Sequence, residues 1–398
     1  MNVPSAPEAK PAVIPFEVMV AVAWIAACIL LYRGFGHGTP VAFGLNWEQV
    51  AVARSLAAGH GFADPFGAAY PTGPTAVLAP LHPATLAAIL ALFGDGPIMV
   101  FPAVLLEVAT QIVAIVLLLR ISVLASSTWI PGAIAGGAML FIAWPLPQWE
   151  SATSWLALES VFFFALVGRK ATWTGVLLGV GWLVSPSLIP ASLAAVAILR
   201  GWRYTKTSAV IGMIIVAPWI VRNWVTFHQP VFLRDNFGLE LLVSNNDVAQ
   251  PTHDASSQSF QLVHPTQNAS ITAELRREGE PQYFRRLQSE AIDWIWSHPQ
   301  RFLQLTGARI ALWWTSNWVI AAVNLLGLIG VWLNRTHPLG RAAAAGLALY
   351  PLPYYVVQFD PRYAWPVAWI AALMAGYTCF AMVRGVVQRK SAPDQAAR

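Results

Sequence analysis

The chain has 398 residues, 57% of them hydrophobic and only 11% charged, with a mean hydropathy of +0.55. A soluble domain carries about a quarter charged residues, so this composition excludes an ordinary soluble enzyme and predicts an all-α polytopic membrane protein. The formal charge of +5 is modest, and the two cysteines, Cys28 and Cys379, both lie in apolar stretches, which leaves neither a disulfide framework nor a thiolate metal site.

Residues 1–15 read as a disordered cytoplasmic tail. The apolar run over 16–33 is read as a retained span rather than a signal peptide. Lys10 is the sole cation ahead of it, and Tyr32-Arg33-Gly34 is no small-residue cleavage site. An outer loop over about 34–97 follows. In it Asn46 and Gln49 form a capping-box pattern that predicts a helix from about Trp47, stopped by Gly59 and Gly61. Glu48 then falls in the first turn, where the helix dipole favours its ionised form. There it can act as a general base or simply cap the helix. Leu81 to Phe93 is apolar but too short for a span, which needs about 20 residues; it reads as a juxtamembrane or re-entrant helix.

Further apolar segments lie at about 98–119, 129–147, 153–168, 171–184, 187–199, 207–221, 306–333, 342–357 and 363–383, ten spans with the first. Pro131, Pro145, Pro186 and Pro218 mark ends or kinks. With both termini in the cytoplasm, the inner loops hold Arg120, Arg169, Lys170, Arg200, Arg203, Lys206, Arg335 and Arg341 and no acid, as the positive-inside rule requires. The outer side keeps a short turn at about 144–152, containing Glu150, and a long loop over about 222–305. That loop reads as irregular from Asp247 to Ser270 and helical from Ile271 to about Trp296. Residues 384–398 form a cytoplasmic tail.

Several motifs recur in one order: W-E-x-x-x-x-A-R-S-L-A-A-G-x-G-F from Trp47, then G-P-T-A and P-L-x-P. P-W-x-x-R-N-W from Pro218, N-F-G-L-E-L from Asn236, and Asp360-Pro-Arg362-Tyr363-Ala-Trp-Pro366 follow. This series, over residues 44–366, resembles bacterial membrane glycosyltransferases of the GT-C superfamily. These are relatives of the dolichyl-phosphate-mannose protein mannosyltransferases and the aminoarabinose lipid A transferases. The resemblance implies a GT-C helical bundle in the inner membrane with its active site on the outer side. It also implies a polyprenyl-phosphate sugar donor and a lipid, glycan or protein acceptor. Glu48 matches the acidic residue that serves the family as catalytic base or its close partner, though many relatives have Asp there.

Such a transfer needs a base for the acceptor proton, cations for the leaving phosphate and an apolar groove for the lipid tail. A single displacement by the hydroxyl inverts the anomeric carbon. Glu48 leads as base and Glu150 is the second outer carboxylate, either assisting the acceptor or merely solvated; a divalent cation bridging the two is the one metal expectation. Arg222, Arg309 and Arg362 stand at outer boundaries, where an arginine binds phosphate or snorkels to headgroups. Motif context favours Arg362 and Arg222. Tyr363, His82, Glu107 and Asn223 are candidate cavity-lining residues. Glu107 and Glu159, inside spans, line the cavity or bond between helices. No His pair has zinc-site spacing, and no Walker or G-x-G-x-x-G loop offers a nucleotide or nucleic-acid function. The rival readings are a transporter or lipid flippase, and a non-catalytic GT-C-like scaffold.

Overall fold

The computed structural model describes residues 14–35, 48–67, 69–142, 149–168, 170–267 and 269–391. Among them the regular elements are helices, with isolated bridges at Ala63–Pro74 and Thr252–Phe359. In chain order they are α1 (Phe16–Phe35), α2 (Glu48–Ala57), α3 (Leu81–Phe93), α4 (Val100–Ser126), α5 (Ile130–Ile142), α6 (Trp149–Val167), α7 (Ala171–Val184), α8 (Leu188–Arg200) and α9 (Trp202–Phe227). There follow α10 (Phe237–Ser244), α11 (Ser257–Val263), α12 (Ala269–Glu278), α13 (Glu280–Ser297), α14 (Pro299–Thr315), α15 (Trp318–Leu333), α16 (Pro338–Leu349), α17 (Leu352–Val356) and α18 (Pro361–Ser391).

Four stretches, Val100–Ser126, Glu150–Val167, Trp202–Phe227 and Pro361–Gly385, are long and apolar enough to cross a membrane. The bent pair α14–α15 adds a fifth if counted as one span. The molecule is thus a helical protein with membrane-length apolar helices. They pack by removing side chains from their contacts. A Cβ on Gly175 would stand 2.7 Å from the Ser208 carbonyl oxygen, and one on Gly179 2.8 Å from that of Gly212, so α7 and α9 touch backbone to backbone. Gly327 and Gly330 play the same part where α15 meets α18, against Ala371 and Met374. Around α18, Trp155, Phe162, Tyr350 and Trp369 fill the main core.

Some expected boundaries change. The segment 306–333 is two helices bent by 83° rather than one continuous helix. Asn317 is extended and accepts a hydrogen bond from the Ile320 amide at 3.0 Å, capping a new helix. The segment 342–357 likewise breaks at Pro351 into α16 and α17. The stretch 247–270, expected to be irregular, contains α11, whose Phe260 and Val263 pack on the first loop's Phe62 and Phe66 cluster. The helix expected over 271–296 is broken at Gly279, where φ is +83°. Leu81–Phe93 is a short helix as expected, and α2 ends at Ala57, just ahead of the positive-φ residues Gly59 and Gly61. The cap residue Asn46, Pro145, Arg169 and residues 1–13 and 392–398 of the expected tails lie outside the described residues, while 384–391, expected as tail, continue helix α18.

Candidate active site

Helix α2 sets the geometry. Successive helix residues point about 100° apart, so neighbours address different spaces. Glu48 lines a chamber of about 1150 Å³ with walls from the first loop, from α11 and from Asp360 and Arg362. Gln49 lines a second cavity of about 500 Å³, where its Nε2 donates to Glu150 Oε2 at 2.9 Å. Arg234 Nη1 lies 3.9 Å from the other oxygen, Glu150 Oε1. A third, mainly apolar cavity of about 410 Å³ opens at the break between α14 and α15, walled by Trp313, Trp314, Ile320, Val323, Leu347 and Ala368. Arg362 lines all three.

Arg362 is held from several sides. Its Nε lies 3.1 Å from Asp360 Oδ2, its backbone amide donates to Asp360 Oδ1 at 2.9 Å, and its guanidinium sits 5.1 Å from the centre of the Tyr363 ring. Ser151 on α6 donates to the Arg362 carbonyl at 3.1 Å, tying α18 to the helix that carries Glu150.

The Glu48 side chain is 30% exposed, and its Oε1 lies 3.3 Å from His264 Nε2. Burial alone pushes this carboxyl up. The hydrogen bond and charge of His264, then the charges of Arg362 and Arg234, outweigh burial and hold it below its ordinary value. At neutral pH it is therefore a carboxylate, the form that accepts a proton.

The structure relocates other expected site residues. Arg222 donates through Nη1 to the Thr75 carbonyl at 2.7 Å and to Asn223 Oδ1 at 3.0 Å, and through Nη2 to the Phe62 carbonyl at 2.8 Å. Its guanidinium lies 4.9 Å from the Trp219 ring centre. It anchors the first loop and lines none of the three cavities, its donors aimed at carbonyls. Asn223, fully buried beside it, donates to the Val231 carbonyl and likewise lines none of them. Arg309 is buried among the carbonyls of Ser244 and Val356 and the side chain of Asn245. Glu107 accepts from Gln111 one helical turn on, at 3.1 Å, so its nearest partner is on its own helix. Glu159 is fully buried on α6. His82 opens α3, within electrostatic reach of Glu150 but outside the three cavities. Tyr363 does line the second cavity.

The two carboxylates expected to bridge a divalent cation do not share a cavity. Glu48 and Glu150 belong to different cavities, each is engaged by protein donors, and among the described residues no group of three or more His, Cys, Asp or Glu could hold a metal ion.

Two residues emerge only in three dimensions. Arg234 links Glu150 to the first loop, its Nε donating to the Val77 carbonyl at 3.0 Å. Its one signal in the chain is a cation in an otherwise apolar P-V-F-L-R stretch. His264 comes from a region read as irregular, and nothing in its spacing pairs it with Glu48. No protein-family model, curated protein or solved structure matches the chain.

Proposed function

We propose that the protein is a GT-C-type membrane glycosyltransferase that moves a sugar from a polyprenyl-phosphate donor to an acceptor hydroxyl or amine, with inversion. The observation that carries this reading is the position of Arg362, at the meeting of a polar chamber containing an ionised Glu48, a second cavity containing Glu150, and an apolar cavity. A lipid-phosphate sugar joins a polar head to a hydrocarbon tail through a monoanionic phosphodiester. A guanidinium fixed at the junction stabilises the charge that builds on the phosphate as the glycosidic bond breaks. Glu48 takes the acceptor proton, and Glu150, held by Gln49 and Arg234, orients the acceptor or donor. The proposal includes the ten-span topology in the inner membrane, both termini cytoplasmic and the cavities open to the outer side. It is supported by the four or five membrane-length apolar helices and by the inner-loop cations.

The test is turnover. Purified protein is given a panel of synthetic short-chain polyprenyl-phosphate sugars, and release of the free lipid phosphate is followed. The reading predicts release with at least one donor, faster with a hydroxylated acceptor present. Absence of both release and donor binding across the panel would refute it.

A further inference from the structure

His264 sits between Thr266 and Glu48. Its Nδ1 lies 2.8 Å from the Thr266 hydroxyl and accepts from the Thr266 backbone amide at 3.4 Å. Nδ1 can accept from that amide when the ring proton is on Nε2. That is the nitrogen 3.3 Å from Glu48 Oε1. The ring is itself clamped edge-on by Phe66 and tilted against Phe260, with centroids 5.6 Å and 5.3 Å away. Its side chain is 8% exposed, so it has little freedom to leave Glu48.

We propose that His264 is the positioning residue for Glu48: its Nε2 holds Oε1 and so reserves the second oxygen, Oε2, for the acceptor's proton. The catalytic part of this proposal rests on the glycosyl-transfer reading above. In that step the acceptor oxygen bonds to the anomeric carbon and its proton passes to Glu48 Oε2. The bond from that carbon to the phosphate oxygen breaks, and its electron pair stays on the phosphate. A carboxylate with both oxygens free would rotate between rotamers; one with Oε1 held presents a single oxygen in one orientation.

Other charges face Glu48. Arg362 on α18 and Arg234 ahead of α10 act on it directly. The chamber walls add Arg54, which pairs with Asp95 at 2.8 Å, together with His60, Asp64, Tyr70, His253, Asp254 and Asp360. These remain when His264 is changed, so the variants isolate its contribution.

The experiment reads Glu48 protonation without needing turnover. Infrared difference titration of purified protein, with E48Q as the blank, gives the midpoint of the Glu48 carboxylate band. H264F preserves the ring contacts with Phe66 and Phe260 but has no donor; H264Q has a donor of similar reach. The midpoint should rise by about 1 pH unit or more in H264F and return toward wild type in H264Q. Equal midpoints in wild type and H264F overturn the proposal. A shift in H264Q as large as in H264F overturns the assignment of the donor. Should H264F fail to fold, wild type against H264Q and H264L gives the same comparison. With an active donor, the acid limb of the kcat/KM profile should move in the same order across the variants. A protein inert to every donor would count against the transfer reading, while the infrared titration still decides whether His264 holds Glu48.

Discussion

Replacing Arg222 by Met separates an anchoring arginine from a phosphate-binding one. The guanidinium reaches two carbonyls of the first loop, Thr75 at 2.7 Å and Phe62 at 2.8 Å. Hydrogen bonds from a charged group contribute about 1.5–3 kcal/mol each. Arg222 is only half-buried, so the lower figure applies, and the two bonds together stabilise the closed loop by about 3 kcal/mol. Met fills similar volume between Phe62 and Trp219 but makes neither bond. The loop should therefore open about 100-fold more often. Hydrogen–deuterium exchange in detergent measures this. Peptides covering residues 60–78 should exchange about 100-fold faster in R222M, while those from α4 and α18 stay unchanged. R222K, with a point charge in place of the fork, should recover part of the protection. Unchanged exchange in R222M, with a weakened affinity for polyprenyl-phosphate donors, would refute the anchoring role and restore Arg222 to the phosphate.

Glu48→Gln keeps the side-chain shape and should lower transfer by about 10²–10⁴ without loss of fold; near-normal turnover removes Glu48 as the base. Arg362→Ala should depress turnover strongly and Arg362→Lys recover part of it. If Arg362 serves only as a partly exposed ion pair with Asp360, worth at most about 1 kcal/mol, Ala will instead leave donor affinity and turnover as they were. Glu280 accepts from the Ala76 amide beside Asp235, whose own amide donates to the Ala76 carbonyl at 3.1 Å. Burial pushes Asp235 up to about 7, and burial, then the charge of Asp235, raises Glu280 well above its usual value. The fold thus holds protons that unfolded carboxyls, with ordinary values near about 4, release. Its stability falls as pH rises from about 4 through about 7. Thermal melts of Glu280→Gln should be flatter across that window and higher than wild type at its alkaline end; identical pH dependence would show that the pair is not a proton store. In a cysteine-free background, an impermeant thiol reagent added from outside should label S297C, which is exposed, and spare S126C; labelling at 126 would invert the topology.

The apolar segments were legible in the chain because a helix in a membrane must be apolar over its length and must satisfy its own backbone. That constraint is local, so α1, α4, α6, α9 and α18 fall where composition puts them. Glu48 was legible for a similar reason, being in the first turn of a short helix bounded by Gly59 and Gly61. The 83° bend of α14 against α15 was less visible, because its apolar pattern runs on through the break and only the cap at Asn317 marks it.

The site itself was decided by tertiary structure. From sequence motifs Arg222 and Arg362 were expected alike at outer boundaries, but Arg222 faces the carbonyls of Thr75 and Phe62, whereas Arg362 faces the junction of three cavities. Direction around a helix end depends on what the neighbouring loops present, and those loops are remote in the chain. The same holds for the partners of the two carboxylates. His264 reaches Glu48 because α11 folds onto the aromatic cluster of the first loop, and Arg234 reaches Glu150 because residues 75–77 are pinned beneath it. Composition and local pattern determine which segments are helices; the long-range packing of polar loops determines which of their charged side chains meet.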